Sequence, residues 1–132
     1  MKKDSNLSIL LFVESRYRVD RKRIKGVVAK TLQAQKITSP VEVSIAIVGD
    51  RKMRVLSRTY KGDDKTRNIL SFPTAEGESM MLPDDNIMRL GDIVMSYPEV
   101  VRDAAREEML VDDRLDELTE HGLMHLLGIH HS

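Results

Sequence analysis

Chemistry in this chain gathers at one end. All four histidines, His121, His125, His130 and His131, fall within a stretch of eleven residues, His-Gly-Leu-Met-His-Leu-Leu-Gly-Ile-His-His. His121 and His125 are four apart, so on a helix their imidazoles lie one above the other on a single face. Gly128 follows, where a helix commonly closes through a left-handed residue. The chain can then fold back and bring His130 or His131 to the same point. Two imidazoles from a helix and a third beyond a glycine turn grip a metal ion from one side. The other side stays open to water and substrate, which separates catalytic zinc sites from closed structural ones. Histidines on a helix face are more often solvated or hydrogen-bonded. Here the clustering, the glycine, and apolar Leu123, Leu126, Leu127 and Ile129 around them favour ligation. The chain has no cysteine, so imidazole and carboxylate are the available ligands and disulfides are excluded.

The same i, i+4, i+10 spacing occurs in metzincin proteases, which carry a glutamate directly after the first histidine as general base. Gly122 stands there in this chain and cannot take a proton. Glu120, on the other side of His121, points about 100° away on a helix. Peptide hydrolysis is therefore disfavoured.

Composition sets further bounds. With 132 residues, 41% hydrophobic and 32% charged, the chain reads as one soluble globular domain, 1–132, with a real core. No apolar run approaches the roughly 20 residues of a membrane span. Lys2 and Lys3 lead into Leu7–Val13 without a small-residue cleavage site, so no signal peptide is expected and the simplest location is the cytoplasm. The net charge of zero hides an asymmetry: residues 1–75 hold 17 Lys/Arg and 7 Asp/Glu, residues 76–132 hold 4 and 14. Such a split marks either a surface facing a polyanion or two halves that pair within the fold.

The elements that must position the histidines follow from periodicity. Leu7–Val13 is a near-continuous apolar run suited to a buried strand. Asp20 caps a helix whose stripe is Ile24, Val27, Val28, Thr31 and Leu32, ending near Gln35. Val41, Val43, Ile45 and Ile47 alternate with smaller or polar residues as a strand. Gly49-Asp50 turns and caps a short helix resting on Met53, Leu56 and Tyr60, with Arg51, Lys52, Arg54 and Arg58 outward. A polar loop leads to a strand over 69–73; residues 74–89 read as a loop, and Leu90–Ser96 as a strand. Pro98 opens a helix with Val100, Val101, Ala104 and Ala105 buried. Asp112 or Asp113 caps the last helix, which buries Leu115, Leu118, Gly122 and Leu126. The order β-α-β-α-β-β-α-α predicts an α+β fold: a single mixed four-stranded sheet with helices packed on it.

The histidine segment resembles the signature of the YbeY family, bacterial rRNA maturation factors described as single-strand-specific endoribonucleases. That signature runs His-Gly-x-Leu-His-Leu-x-Gly-x-Asp-His, and the match holds at His121, Gly122, His125, Leu126, Gly128 and His131. Residues 60–73, Tyr-Lys-Gly-Asp-Asp-Lys-Thr-Arg-Asn-Ile-Leu-Ser-Phe-Pro, align without a gap to a family segment of the form Tyr-Arg-Gly-x-Asp-Lys-Pro-Thr-Asp/Asn-Val-Leu-Ser-Phe-Pro. Leu90-Gly91-Asp92-Ile93 matches a third block. The resemblance implies the α+β sheet and a three-histidine metal site, usually zinc, with His121, His125 and, by the family's spacing, His131 as ligands. His130 stands where the family has an acid, so either neighbour is within reach of the ion. The family arginine associated with activity is Lys61 here, which keeps the charge but loses the bidentate fork. Arg67 replaces a family threonine and offers a guanidinium to the same site; Ser71 is placed at the cleft. The chain ends at Ser132 without the family's C-terminal helical tail, which implies a more open terminus around the metal.

The expected chemistry is hydrolysis of RNA phosphodiester bonds by a metal-activated water, with Lys61 and Arg67 offsetting phosphate charge. Arg51, Lys52, Arg54 and Arg58 form an RNA track. Aromatics are 4% of the chain, so base stacking is limited and recognition rests on backbone and shape. The implied partners are precursor rRNA and small-subunit ribosomal proteins. The competing reading is a non-catalytic ribosome-assembly factor whose metal is structural.

Overall fold

Branched apolar residues alternating along 41–48 build the centre of the sheet. The structure, a computed structural model, describes residues 7–74 and 86–129. Its elements are β1 (Leu7–Val13), α1 (Arg21–Ala34), β2 (Val41–Val48), α2 (Asp50–Lys61), β3 (Ile69–Pro73), β4 (Met88–Ser96), α3 (Tyr97–Arg106) and α4 (Val111–Leu126). The strands lie in the order β1-β2-β4-β3. β1, β2 and β4 run parallel, and β3 is antiparallel to β4. This is the mixed four-stranded α+β sheet that the sequence predicts.

Strand alternation sends successive side chains to opposite faces. Val43, Ile45 and Ile47 of β2, with Ile93 and Met95 of β4, meet Ile24 and Val28 of α1, Val100 of α3, and Leu115 and Leu118 of α4. On the other face Val48, Leu70 and Val94 pack with Met53 of α2, flanked by Ala46, Leu56 and Phe72. The histidine helix and α2 therefore lie on opposite faces of one sheet.

Gly91 shows why its block has that sequence. Between Glu42↔Arg89 and Val43↔Gly91 the register slips by one, leaving Leu90 as the extra residue of a bulge. Gly91 has φ +129°, and a Cβ there would sit 2.2 Å from the Phe72 carbonyl oxygen. No other residue fits.

Five expectations need correction. β1 is not buried on both faces: it is a sheet edge, Leu10 and Phe12 are 61% and 58% exposed, and the cluster beneath α2 includes no β1 residue. Along α2 the fully buried pair is Met53 and Ser57, while Tyr60 is exposed, its ring edge-on to Phe72 with centroids 5.0 Å apart. In α3 the phase of the stripe places Asp103 inside beside Val100 and Ala104, and Val101 and Ala105 outside. The N-cap of α4 is Leu110, with no side-chain cap; Asp112 and Asp113 sit in the first turn, where they complement the helix dipole and pair with Arg23. The strand expected from Leu90 begins at Met88, shortening the loop expected over 74–89; residues 75–85 of that loop lie outside the described residues.

Candidate metal centre and basic loop

α4 sets the histidines by burying its opposite flank. Leu115, Leu118, Gly122 and Leu126 are buried, as their spacing predicts. A Cβ at Gly122 would lie 3.0 Å from Ile69 Cδ1 and 3.2 Å from Ile93 Cδ1, so the helix presses directly on β3 and β4 there. His121 and His125 rise on successive turns beside that contact, with ring centroids 4.6 Å apart and planes tilted by 51°. His121 is exposed and His125 half-buried.

The helix then closes as expected. Gly128 has φ +81°; its N–H donates to the His125 carbonyl at 3.0 Å, and the Ile129 N–H donates to the Met124 carbonyl at 2.9 Å. This paired bonding is a Schellman turn. It redirects the chain directly after His125. His130 and His131 lie outside the described residues. Among the described residues no group of three potential ligands is assembled, so the structure brings together the helical pair of the predicted ligand set. Two imidazoles on adjacent turns, one open to solvent, suit a divalent ion of intermediate softness.

The loop after α2 approaches the same edge strand from the other face. Lys61, exposed, is the last residue of α2, and Gly62 closes the helix in a left-handed conformation at φ +74°. The chain then runs back along the helix, about 18 Å for its twelve residues. Thr66 Oγ1 donates to Asp50 Oδ1, at the first residue of α2, at 2.9 Å. The hydroxyl of Thr66 thus reaches the start of α2, while the next residue, Arg67, turns its side chain back toward Asp63. Its guanidinium is engaged by Asp63, at 2.6 and 3.4 Å. Ser71 pairs in register with Ile93, and strand alternation puts it on the α4 face. It shares that face with the paired histidines, on the strand that Gly122 touches.

The four cations of the expected RNA track, Arg51, Lys52, Arg54 and Arg58, are all exposed on α2, across the sheet from α4. Arg58 pairs with Asp64 at 3.4 Å. Arg51, Lys52 and Arg54 make no ion pair with another described residue. Elsewhere the charge asymmetry is partly absorbed within the fold: Arg23 of α1 reaches Asp113 at 2.5 Å and Asp116 at 2.8 Å on α4.

Two carboxylates that sequence reasoning did not single out organise this region. Asp50 accepts from Thr66, from Ser96 Oγ at 2.9 Å and from Arg102 at 2.8 Å. Burial pushes its carboxyl up, but the hydrogen bonds from Arg102, Ser96 and Thr66 outweigh burial and hold it below the usual aspartate value. Asp103 accepts from Asn68 Nδ2 at 2.7 Å and from Arg114 at 3.3 Å, and pairs with Arg106. It too is raised by burial and lowered further by Asn68, Arg114 and Arg106, ending below its usual value. The signal for Asp103 was an acid within an apolar helical stripe. Asp50 gave none beyond its place in a turn.

The fold and the described residues define a small α+β domain with paired imidazoles on the open flank of its last helix. Residues 12–132 match the family described as Endoribonuclease YbeY. The chain is 37% identical over 113 residues to Endoribonuclease YbeY of Roseiflexus castenholzii, which spans 86% of this chain and 71% of that protein. To Endoribonuclease YbeY of Nitrobacter winogradskyi it is 38% identical over 96 residues, 73% of this chain and half of that protein. The solution structure of a Thermotoga maritima protein shares the fold, with TM-score 0.59 at 21% identity over 96% of this chain and 75% of that one. The chain belongs to the YbeY endoribonuclease family.

Proposed function

We propose that this chain is a metal-dependent endoribonuclease acting in rRNA maturation and ribosome quality control in the cytoplasm, and that residues 1–132 work as one domain. The observation that supports the reading most is the adjacent pair His121 and His125 on an exposed helix flank, in a chain whose relatives are named endoribonucleases. No helix among the described residues is long and apolar enough to cross a membrane. His121, His125 and His131 hold one ion, zinc by its preference for imidazole. When bound, the ion supplies Lewis acidity and lowers the pKa of water toward ~7. Ser71 lines the cleft beside the histidines. Lys61 contacts phosphate from the end of α2, and Arg67 does so by exchanging Asp63 for a phosphate oxygen. Arg51, Lys52, Arg54 and Arg58 follow the RNA backbone. Precursor rRNA and small-subunit ribosomal proteins are the partners.

The test is elemental analysis of the purified protein followed by cleavage of a structured RNA. One bound ion, with cleavage lost on chelation and in His125→Ala, is the expected result. Protein that holds metal, melts lower on chelation and never cuts RNA would instead be a non-catalytic assembly factor.

A further inference from the structure

Asp103 sits inside the α3 stripe and is only 8% exposed. A carboxylate in such a place is costly unless it is fully hydrogen-bonded. Its partners come from separate parts of the chain. Asn68, the residue before β3, donates Nδ2 to Asp103 Oδ2 at 2.7 Å, and Arg114 of α4 donates to the same oxygen at 3.3 Å. Asn68 is fixed on its other side as well, its carbonyl accepting from the Ser96 N–H at 3.0 Å. Arg114 lies seven residues, about two helical turns, before His121. A single carboxylate oxygen thus joins the strand that carries Ser71 to the helix that carries the histidines.

These elements also meet through apolar packing, with Gly122 against Ile69. Apolar contact is non-directional and tolerates sliding, whereas hydrogen bonds to one oxygen fix distance and angle. We propose that Asp103 is a positioning residue for RNA cleavage. It sets the register of β3 and its preceding loop against α4, so that Ser71 and the loop cations face His121 and His125 at a fixed separation. The inference rests on the endoribonuclease reading above.

The test compares the parent protein, Asp103→Asn, and the reciprocal pair Asn68→Asp/Asp103→Asn on one structured RNA. It records kcat, KM, metal content and amide hydrogen exchange over 67–71. In Asp103→Asn, kcat falls about tenfold, as expected for a small misplacement of reacting groups. KM stays within about twofold, metal content is unchanged, and the amides exchange faster. The reciprocal pair exchanges amide and carboxylate across the same bond and regains at least half of the lost kcat on a logarithmic scale. Asp103→Asn that cuts at the parental rate, or whose lost rate tracks lost metal and is not regained by the reciprocal pair, overturns the inference. A parent protein that does not cut RNA overturns the endoribonuclease reading itself, and this role with it.

Discussion

Thr66 Oγ1 donates to Asp50 Oδ1 at 2.9 Å, tying a loop residue to the helix start sixteen positions earlier. The same carboxylate takes Ser96 and Arg102, so three elements and a loop meet at one charge. Its ionised form is favoured by folding, since its carboxyl lies below the usual aspartate value, as does that of Asp103.

Acid stability follows from the sign of these shifts. A carboxyl whose folded pKa is depressed contributes stability that is fully present above its unfolded value, ~3.9, and is lost as pH falls through the folded value. Unfolding free energy therefore drops below about pH 4. Asp50→Asn is less stable at pH 7 by about 1–3 kcal/mol, the cost of disturbing a charged, hydrogen-bonded hub. Its acid limb is shallower than the parent's. Urea unfolding at pH 7, 5 and 3.5 checks this; parallel curves for parent and variant would remove Asp50 from the account.

Helix ends offer a stability prediction of opposite sign. α1 and α3 close with the same paired bonding as α4, yet their left-handed residues are Lys36 at φ 59° and Glu108 at φ 56°. A left-handed conformation costs a residue with a Cβ roughly 1–2 kcal/mol, and glycine's greater chain entropy returns about 0.5–1 kcal/mol of that. Lys36→Gly and Glu108→Gly should each stabilise by about 0.5–1 kcal/mol. The sites lie on different helices, so the gains should add. Thermal melts of the single and double variants decide it, and unchanged or lowered melting temperatures would mean that the strain is not there to relieve.

Gly122 separates this chain from the proteases on two grounds. It lacks a proton acceptor, and its missing side chain is where Ile69 and Ile93 pack. Gly122→Glu should not create a peptidase. It should cost at least about 3 kcal/mol, through an unpaired charge forced against apolar side chains. Denaturant unfolding measures the loss; a well-folded variant with native stability would show that α4 can lift from the sheet.

Local signals in the sequence were reliable where the physics is local. The alternation from Val41 to Ile47 gave a strand, Ile24, Val28 and Leu32 gave the inner face of α1, and Asp20 does accept from the Arg23 N–H at 3.1 Å. Gly128 closes the His125 turn as its position predicts. What was not legible depends on partners distant in sequence. β1 looked buried because its outer face is decided by strand order, which an apolar run does not encode. Asp113 looked like a cap, yet it pairs with Arg23, ninety residues earlier. Asp50 and Asp103 draw hydrogen bonds from residues up to 52 positions away, so no spacing announces those partners.

The face of α2 leads to the last prediction. Arg51, Lys52 and Arg54 are exposed and make no ion pair with another described residue, whereas Arg23 is committed to α4. Cations without an internal partner can release counterions from RNA without first breaking a protein ion pair. For single strands each phosphate contact contributes about 0.7 to the slope of log affinity against log salt. Replacing Arg51, Lys52 and Arg54 together by alanine should flatten that slope by about 2 and weaken binding about equally for unrelated sequences. Replacing Lys22, Lys25 and Lys30, also exposed but on α1, removes the same charge from the sheet's other face and should leave the slope nearly unchanged. Filter binding across a salt series compares the two triples directly. Equal flattening would mean that RNA responds to net charge alone and that α2 provides no defined track.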